Sequence, residues 1–464
     1  MLCRLMEESA NDAVDDQTRN PTSRRACSAP PPPGPNPAMV PSSAGGGEPS
    51  SRLESSLEEG YPSAIVDALG ESPGRPVRRA TVPPLAAASV LLAAASGGLE
   101  ILVQLFLQAR GAPTILISSV SSLASVGVVL GSLFWGRLSD RLGRRGLLIV
   151  TALGVVVGTG LMVPLPSDAV VLGSAFLRAF MEIGFAAVAL ATVSSASAPA
   201  QRGRRLSYVS SSRSLGYAIG AVGAGVLLES LAFSRSFLAV SVLPLVAGAV
   251  LFLLPHEGRQ QRQERVSARA AFRSAGLTDL YVGTILRQMG TSGVYSLIYV
   301  YMASIHISPA TMGLMSALNR ISQVGAMVLF GLVVDRIGRR RVFMLGFALS
   351  VLVPLVVALS RGVTGMAVAF LLIGLTYSAL YIGSTAHIGD RVAPEQLGTM
   401  LGLFETARGV GGLVGPTVAG AIASSIGLNG MMYVMAGICG VAVAVMVGHR
   451  RRGRPAADQA SRGA

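Results

Sequence analysis

G-R-L-S-D-R-L-G-R-R at Gly136–Arg145 returns as G-L-V-V-D-R-I-G-R-R at Gly331–Arg340, 195 positions further along. Gly136, Asp140, Arg141, Gly143, Arg144 and Arg145 meet the same residue types at Gly331, Asp335, Arg336, Gly338, Arg339 and Arg340. Each copy follows one long apolar run and precedes another. A second echo keeps the offset: Arg213, Gly216, Gly220 and Gly225 match Arg408, Gly411, Gly415 and Gly420. Two separate patterns with one spacing mean that a whole half-chain is duplicated. Duplicated membrane halves joined by a basic loop point to a secondary transporter.

Composition agrees with a membrane reading. Of the 464 residues 51% are hydrophobic and only 13% charged, against roughly 25% charged in soluble domains. The charge deficit begins after Arg79; residues 1–80 are polar, with a proline run at Pro30–Pro33. Such a segment cannot bury enough apolar surface to order itself and is expected to be a disordered tail. Translation from Met39 is an open alternative. No apolar signal region opens the chain, so no cleaved secretory peptide is expected.

A helix crossing about 30 Å of hydrocarbon needs roughly 20 apolar residues. Runs of that length predict spans at 83–107, 114–136, 146–165, 169–193, 206–228 and 234–255. They recur at 280–304, 310–332, 342–360, 364–388, 398–424 and 428–448. The expected fold is all-α, with about twelve transmembrane helices in two pseudo-symmetric halves. The halves are 81–255 and 279–449, joined by a linker at 256–278 and followed by a basic tail at 450–464. All 38 basic residues are Arg. In alternate connections, 24 of them fall on one side and three (Arg110, Arg235, Arg361) on the other. Cytoplasmic loops carry such an excess, so both termini are expected in the cytoplasm.

The same distribution argues against nucleic acid, since the Arg sit in short loops without an aromatic stacking platform. Three Cys and four His show no metal-ligand spacing. No nucleotide-binding loop of the G-x-x-x-x-G-K-S type is present. Neither a metal nor another cofactor is expected, and an ion gradient is the expected energy source.

The doubled G-x-x-x-D-R-x-G-R-R loop, set between the second and third span of each half, resembles the signature of the major facilitator superfamily. The resemblance covers about 81–450. It implies a conformational latch built from Gly136, Asp140, Arg141, Gly143, Arg144 and Arg145, with the matching residues Gly331, Asp335, Arg336, Gly338, Arg339 and Arg340. Asp140 would face the start of the eleventh span, and Asp390 is placed to pair with Arg339. The position matching Asp390 in the first half is Ser195, so the charge network is incomplete there.

L-R-A-F-M-E-I-G at Leu177–Gly184 is similar to the family's R-x-x-Q-G-x-G pattern, with Met181 and Glu182 at the departures. Arg178 and Glu182 stand one helical turn apart inside the bilayer, where charge is costly unless paired or facing a cavity. They form a structural ion pair or, alternatively, a proton relay or substrate contact. Glu182 and Glu100 are the proton-coupling candidates. The resemblance places the first, fourth, seventh and tenth spans around a central cavity. Its candidate lining is Glu100, Arg178, Glu182, Arg287, Gln104, Gln288, Tyr295, Tyr299, Tyr377 and Tyr381, with the deep Arg320 of the eighth span. Glu405 and Arg408 are read as structural, near the cytoplasmic surface. The glycine-rich fifth span resembles an antiporter motif but lacks its Gly-Pro pair, which occurs only at Gly415-Pro416.

The expected function is transport of a small solute by alternating access, proton-coupled and acting as a monomer in the lipid bilayer. Drug export fits the glycine motif and the aromatic residues; transport of an organic anion fits the buried Arg. A membrane-embedded sensor or enzyme is the non-transport alternative, disfavoured by the repeat and by the lack of a catalytic cluster.

Overall fold

The computed structural model describes residues 82–139, 143–164, 166–195, 197, 199–254, 277–392 and 394–452. The tail at 1–80, most of the linker at 256–278, the basic tail beyond 452, and both Asp140 and Arg141 lie outside these residues.

The first half contains α1 (Val82–Ala109), α2 (Thr114–Ser139), α3 (Arg144–Gly160), α4 (Asp168–Ser195), α5 (Pro199–Ser230) and α6 (Phe233–Leu251). The second contains α7 (Thr278–Ser304), α8 (Pro309–Ile337), α9 (Arg339–Leu359) and α10 (Val363–Gly389). A final stretch, Pro394–Arg452, is two helices, α11 (394–426) and α12 (428–452), meeting without a loop at Gly427 (φ 77°, ψ 171°). Only glycine adopts that backbone freely. All twelve expected spans are therefore helices.

Eight of the helical stretches are long and apolar enough to cross a membrane, the last of them holding both α11 and α12. The other three are instructive. Helix α3 has only 17 residues. Helices α5 and α7 carry Arg213 and Arg287 among many Ser, Thr and Gly, because they face a polar interior. Lipid-facing surface runs instead along Val150, Leu153 and Val157 on α3 and Leu238, Val242 and Leu245 on α6, all exposed at helical spacing.

The glycine echo is a packing device. On α5, a Cβ at Gly216 or Gly220 would strike the backbone of Val90 or Ala94 on α1. On α11, Gly411 and Gly415 meet Ile285 and Met289 of α7 in the same way, again at the 195-residue offset. Small residues let membrane helices approach this closely. The third glycine of each copy crosses to the other half: Gly225 against Pro309, Gly420 against Thr114 and Ile115.

The two halves share one apolar cluster at the end bearing the Arg110–Pro113 turn. It joins Leu99, Leu105 and Phe237 to Val294, Tyr301, Phe370 and Met431. Toward the repeated-loop end each half has a cluster of its own, around Leu85, Trp135 and Leu251 in the first and around Phe343, Phe404 and Met446 in the second.

Three cross-half bonds reinforce the shared end. Glu229, in the last turn of α5, accepts from the N–H of Ala310 in the first turn of α8 (3.1 Å). Thr114 Oγ1 donates to the Gly420 carbonyl (3.0 Å). Just after Pro416, where α11 loses a backbone donor, the Thr417 N–H bonds Ser122 Oγ of α2 (3.1 Å).

Candidate functional site: a central cavity between the halves

A cavity of about 410 Å³ lies between the halves, lined from α1 to α5 and from α7 to α11. Of the residues expected there, Glu100, Gln104, Arg178, Arg287, Gln288, Tyr295, Arg320 and Tyr377 all line it. Two tyrosines and Glu182 do not. The Tyr299 ring is buried against Phe370 (6.4 Å between centroids). Tyr381 stacks on Tyr377 (5.8 Å, 8°) away from the lining. Both lie on the right helices and near the right face, but four residues carry each ring about 6 Å along the helix from Tyr295 or Tyr377.

Glu182 sits behind the cavity wall and is heavily bonded. Its Oε2 accepts from Ser96 Oγ (2.6 Å) and Arg178 Nη1 (3.3 Å), and its Oε1 from Arg213 Nη2 (3.1 Å) and Tyr217 Oη (3.2 Å). Helices α1, α4 and α5 are tied together at this one carboxylate. Arg213 and Tyr217 escaped the sequence reading, which saw Arg213 only as part of a repeat. The signal was its position, 14 residues into α5, which at 1.5 Å per residue is about 21 Å from the helix start.

The same argument corrects the reading of Arg408. It is 14 residues into Pro394–Arg452 and lines the cavity. Its guanidinium lies over the Tyr377 ring (5.1 Å) and bonds Glu405 (2.9 and 3.0 Å). It is not a surface residue, because α11 starts earlier than the apolar run suggests.

Glu100 differs from Glu182. It lines the cavity, and no ion pair or hydrogen bond holds it among the described residues. The charges acting on it are Arg320, Arg178 and Glu182. Gln104, one turn along α1, reaches into the second half: Nε2 donates to the Tyr295 carbonyl (3.2 Å) and Oε1 accepts from the Tyr299 N–H (3.3 Å). The Tyr295 hydroxyl in turn accepts from Asn319 Nδ2 (2.8 Å).

The chain matches the Major Facilitator Superfamily over residues 85–278 and 280–463. It belongs to that superfamily. It is 23% identical over 347 residues to the multidrug resistance protein MdtG of Dickeya zeae, covering 72% of this chain and 84% of the relative. The uncharacterized MFS-type transporter YuxJ of Bacillus subtilis is 25% identical over 326 residues, covering 66% and 81%. Among solved structures, the nucleoside transporter NupG superposes with a TM-score of 0.69 at 14% identity, covering 79% of this chain and 98% of that one. At such identity the structural likeness speaks for the fold alone. The chain is thus a multi-pass membrane transporter of a small solute, not an enzyme.

The superfamily loop is clearest in its second copy. Gly331 lies within α8, and Asp335 and Arg336 close that helix. Gly338 (φ 96°) makes the reversal into α9 with a left-handed backbone that favours glycine. Arg339 bonds Asp335 (3.3 Å), the Ala386 carbonyl (3.4 Å) and Asp390. It thereby joins the ends of α8, α9 and α10. Arg336 and Arg340 line the same surface groove beside His387. In the first copy Gly136 lies in α2 and Gly143 precedes α3; Arg144 and Arg145 open that helix, and Arg145 Nη2 donates to the Phe252 carbonyl beyond α6 (2.8 Å). These contacts each fasten helices within one half.

Proposed function

We propose that this superfamily member is a proton-coupled secondary transporter in which Glu100 gains and loses the proton. The supporting observation is the contrast between the two candidate acids. Glu182 is clamped by four donors, two of them cationic, whereas Glu100 opens on the cavity with no fixed partner among the described residues. A carboxylate that must change charge every cycle has to be reachable and free of a permanent cation. Glu182 serves instead as the anchor of the first half.

The arginine asymmetry supports cytoplasmic termini. In that orientation the shared apolar seal faces outward and the separate clusters face the cytoplasm, an inward-facing arrangement. Export of amphipathic drugs is supported by the name of MdtG; transport of an organic anion is supported by the arginines of the cavity.

Pyranine-loaded proteoliposomes test the coupling. Addition of 2-naphthoate or ethidium should drive proton flux in the natural protein. Glu100→Gln should abolish that flux while leaving exchange of the same compound. Persistent flux through Glu100→Gln would remove Glu100 as the carrier.

A further inference from the structure

Four arginines line the cavity, and they fall into two kinds. Arg178 is answered by Glu182 and Arg408 by Glu405. Arg287 and Arg320 form no ion pair and have only neutral hydrogen-bond partners among the described residues, and the one acid acting on Arg320 from a distance is Glu100. Arg287 is 4% exposed; its Nε donates to Ser350 Oγ (2.8 Å) and Nη1 to Gln288 Oε1 (3.3 Å), which leaves donors unused. Arg320 Nη1 reaches Gln323 Oε1 at 3.5 Å, its Nε is buried without an acceptor, and its guanidinium lies 4.6 Å above the Tyr217 ring.

A guanidinium held away from water without an anion is costly, and a guanidinium is always charged. Two of them beside the single carboxylate of Glu100 leave the cavity a surplus of positive charge that calls for a negative ligand. A third group fits the same ligand. Because the Tyr295 hydroxyl accepts from Asn319, its own proton is left to donate, and Tyr295 lines the cavity within electrostatic reach of both arginines. Apolar wall for the rest of a ligand is offered by Val120, Met162 and Ile373, among polar residues such as Thr291 and Asn319.

We infer that the transported solute is an organic anion. Its carboxylate is held by Arg287 and Arg320 with help from Tyr295, and its hydrocarbon body lies against Met162 and Ile373. The coupling part of this inference rests on the proton-carrying reading of Glu100. Facing that carboxylate are Arg320 of α8, Arg178 and Glu182 of α4, and Tyr295 and Tyr299 of α7. An anion entering this set repels ionised Glu100, so anion binding and protonation reinforce each other. The anion and the proton then travel in the same direction.

The full chain in nanodiscs, titrated calorimetrically with 2-naphthoate, 2-naphthamide and 2-naphthylmethylammonium, separates charge from shape. The carboxylate should bind at least about tenfold more tightly than the amide, with the ammonium weakest, as for hydrogen bonds to charged groups. Arg287→Gln and Arg320→Gln should each weaken naphthoate binding by about tenfold or more while leaving naphthamide binding unchanged. In the natural protein naphthoate should bind more tightly as pH falls, and Glu100→Gln should bind it tightly at every pH. The charge preference needs no variant, so a misfolded arginine mutant leaves the test intact. Amide or ammonium binding as tight as the carboxylate overturns the inference, as does failure of naphthoate to bind at millimolar concentration. The charge preference without pH dependence keeps the anion site and removes Glu100 as the proton carrier.

Discussion

Arg213 and Arg408 occupy equivalent places in the two halves, yet they meet different partners. Position 182, opposite Arg213, is Glu; the matching position 377, opposite Arg408, is Tyr. In the first half the arginine is neutralised by a carboxylate that also binds Ser96, Arg178 and Tyr217. In the second it rests on an aromatic face and takes its acid from Glu405, on its own helix. Duplication therefore preserved the cation and let the counter-charge diverge. In the first half Arg178 and Arg213 are both paired with Glu182, while in the second Arg287 and Arg320, with no arginine at the matching first-half positions, have no ion pair among the described residues. Functional asymmetry in this symmetric fold lies in where the acids are.

The sharpest way to break this contrast is to compare the acids. Glu182→Gln strands Arg178 and Arg213 and should lower stability by roughly 3–5 kcal/mol, the cost of breaking a buried pair. Glu405→Gln removes a half-exposed partner and should cost only about 0–1 kcal/mol. Thermal midpoints in nanodiscs measure both, and equal losses would erase the distinction between the halves. Adding Arg213→Gln to Glu182→Gln should restore part of the lost stability, since one stranded charge is removed.

Packing should be symmetric where electrostatics is not. Gly220→Val and Gly415→Val each drive a side chain into a neighbouring helix backbone. Overpacking of this kind costs about 1–3 kcal/mol, and the yield of monodisperse protein should fall alike for both. A large difference would show that the two glycine seams are not equivalent.

Smaller effects sharpen the second half. Tyr377→Leu removes the ring beneath Arg408 and should cost about 0.5–2 kcal/mol, read as a lower thermal midpoint. Smallest of all, Asp390→Asn loosens an exposed pair with Arg339 worth about 0–1 kcal/mol. Its stability should barely move, and a loss as large as that of Tyr377→Leu would give the loop a weight that its exposure does not suggest.

The fold was legible because twelve apolar runs and a 195-residue repeat are properties of the chain itself. Most of the residues expected in the cavity reach it, since polar side chains deep in a span have few other places to go; Tyr299 and Tyr381 show the limit. Helix number and face do not give how far along its helix a ring must sit to meet the cavity. Arg213 and Arg408 were misjudged for another reason. Their helices begin in polar sequence, at Pro199 and Pro394, ahead of the apolar runs expected from 206 and 398, so Arg213 was passed over and the depth of Arg408 underestimated. That Glu182 gathers Ser96, Arg213 and Tyr217 depends on how α1, α4 and α5 pack, and no local pattern encodes it.

Gln104 touches the two backbone groups, the Tyr295 carbonyl and the Tyr299 N–H, that an α-helix bonds to each other. When the halves separate at that end, neither group is orphaned, because each finds its alternative partner within α7. Closing adds Gln104 to two groups of an unbroken helix, and opening leaves them to that helix. A seal made this way can hold firmly in one state without raising a comparable barrier to leaving it.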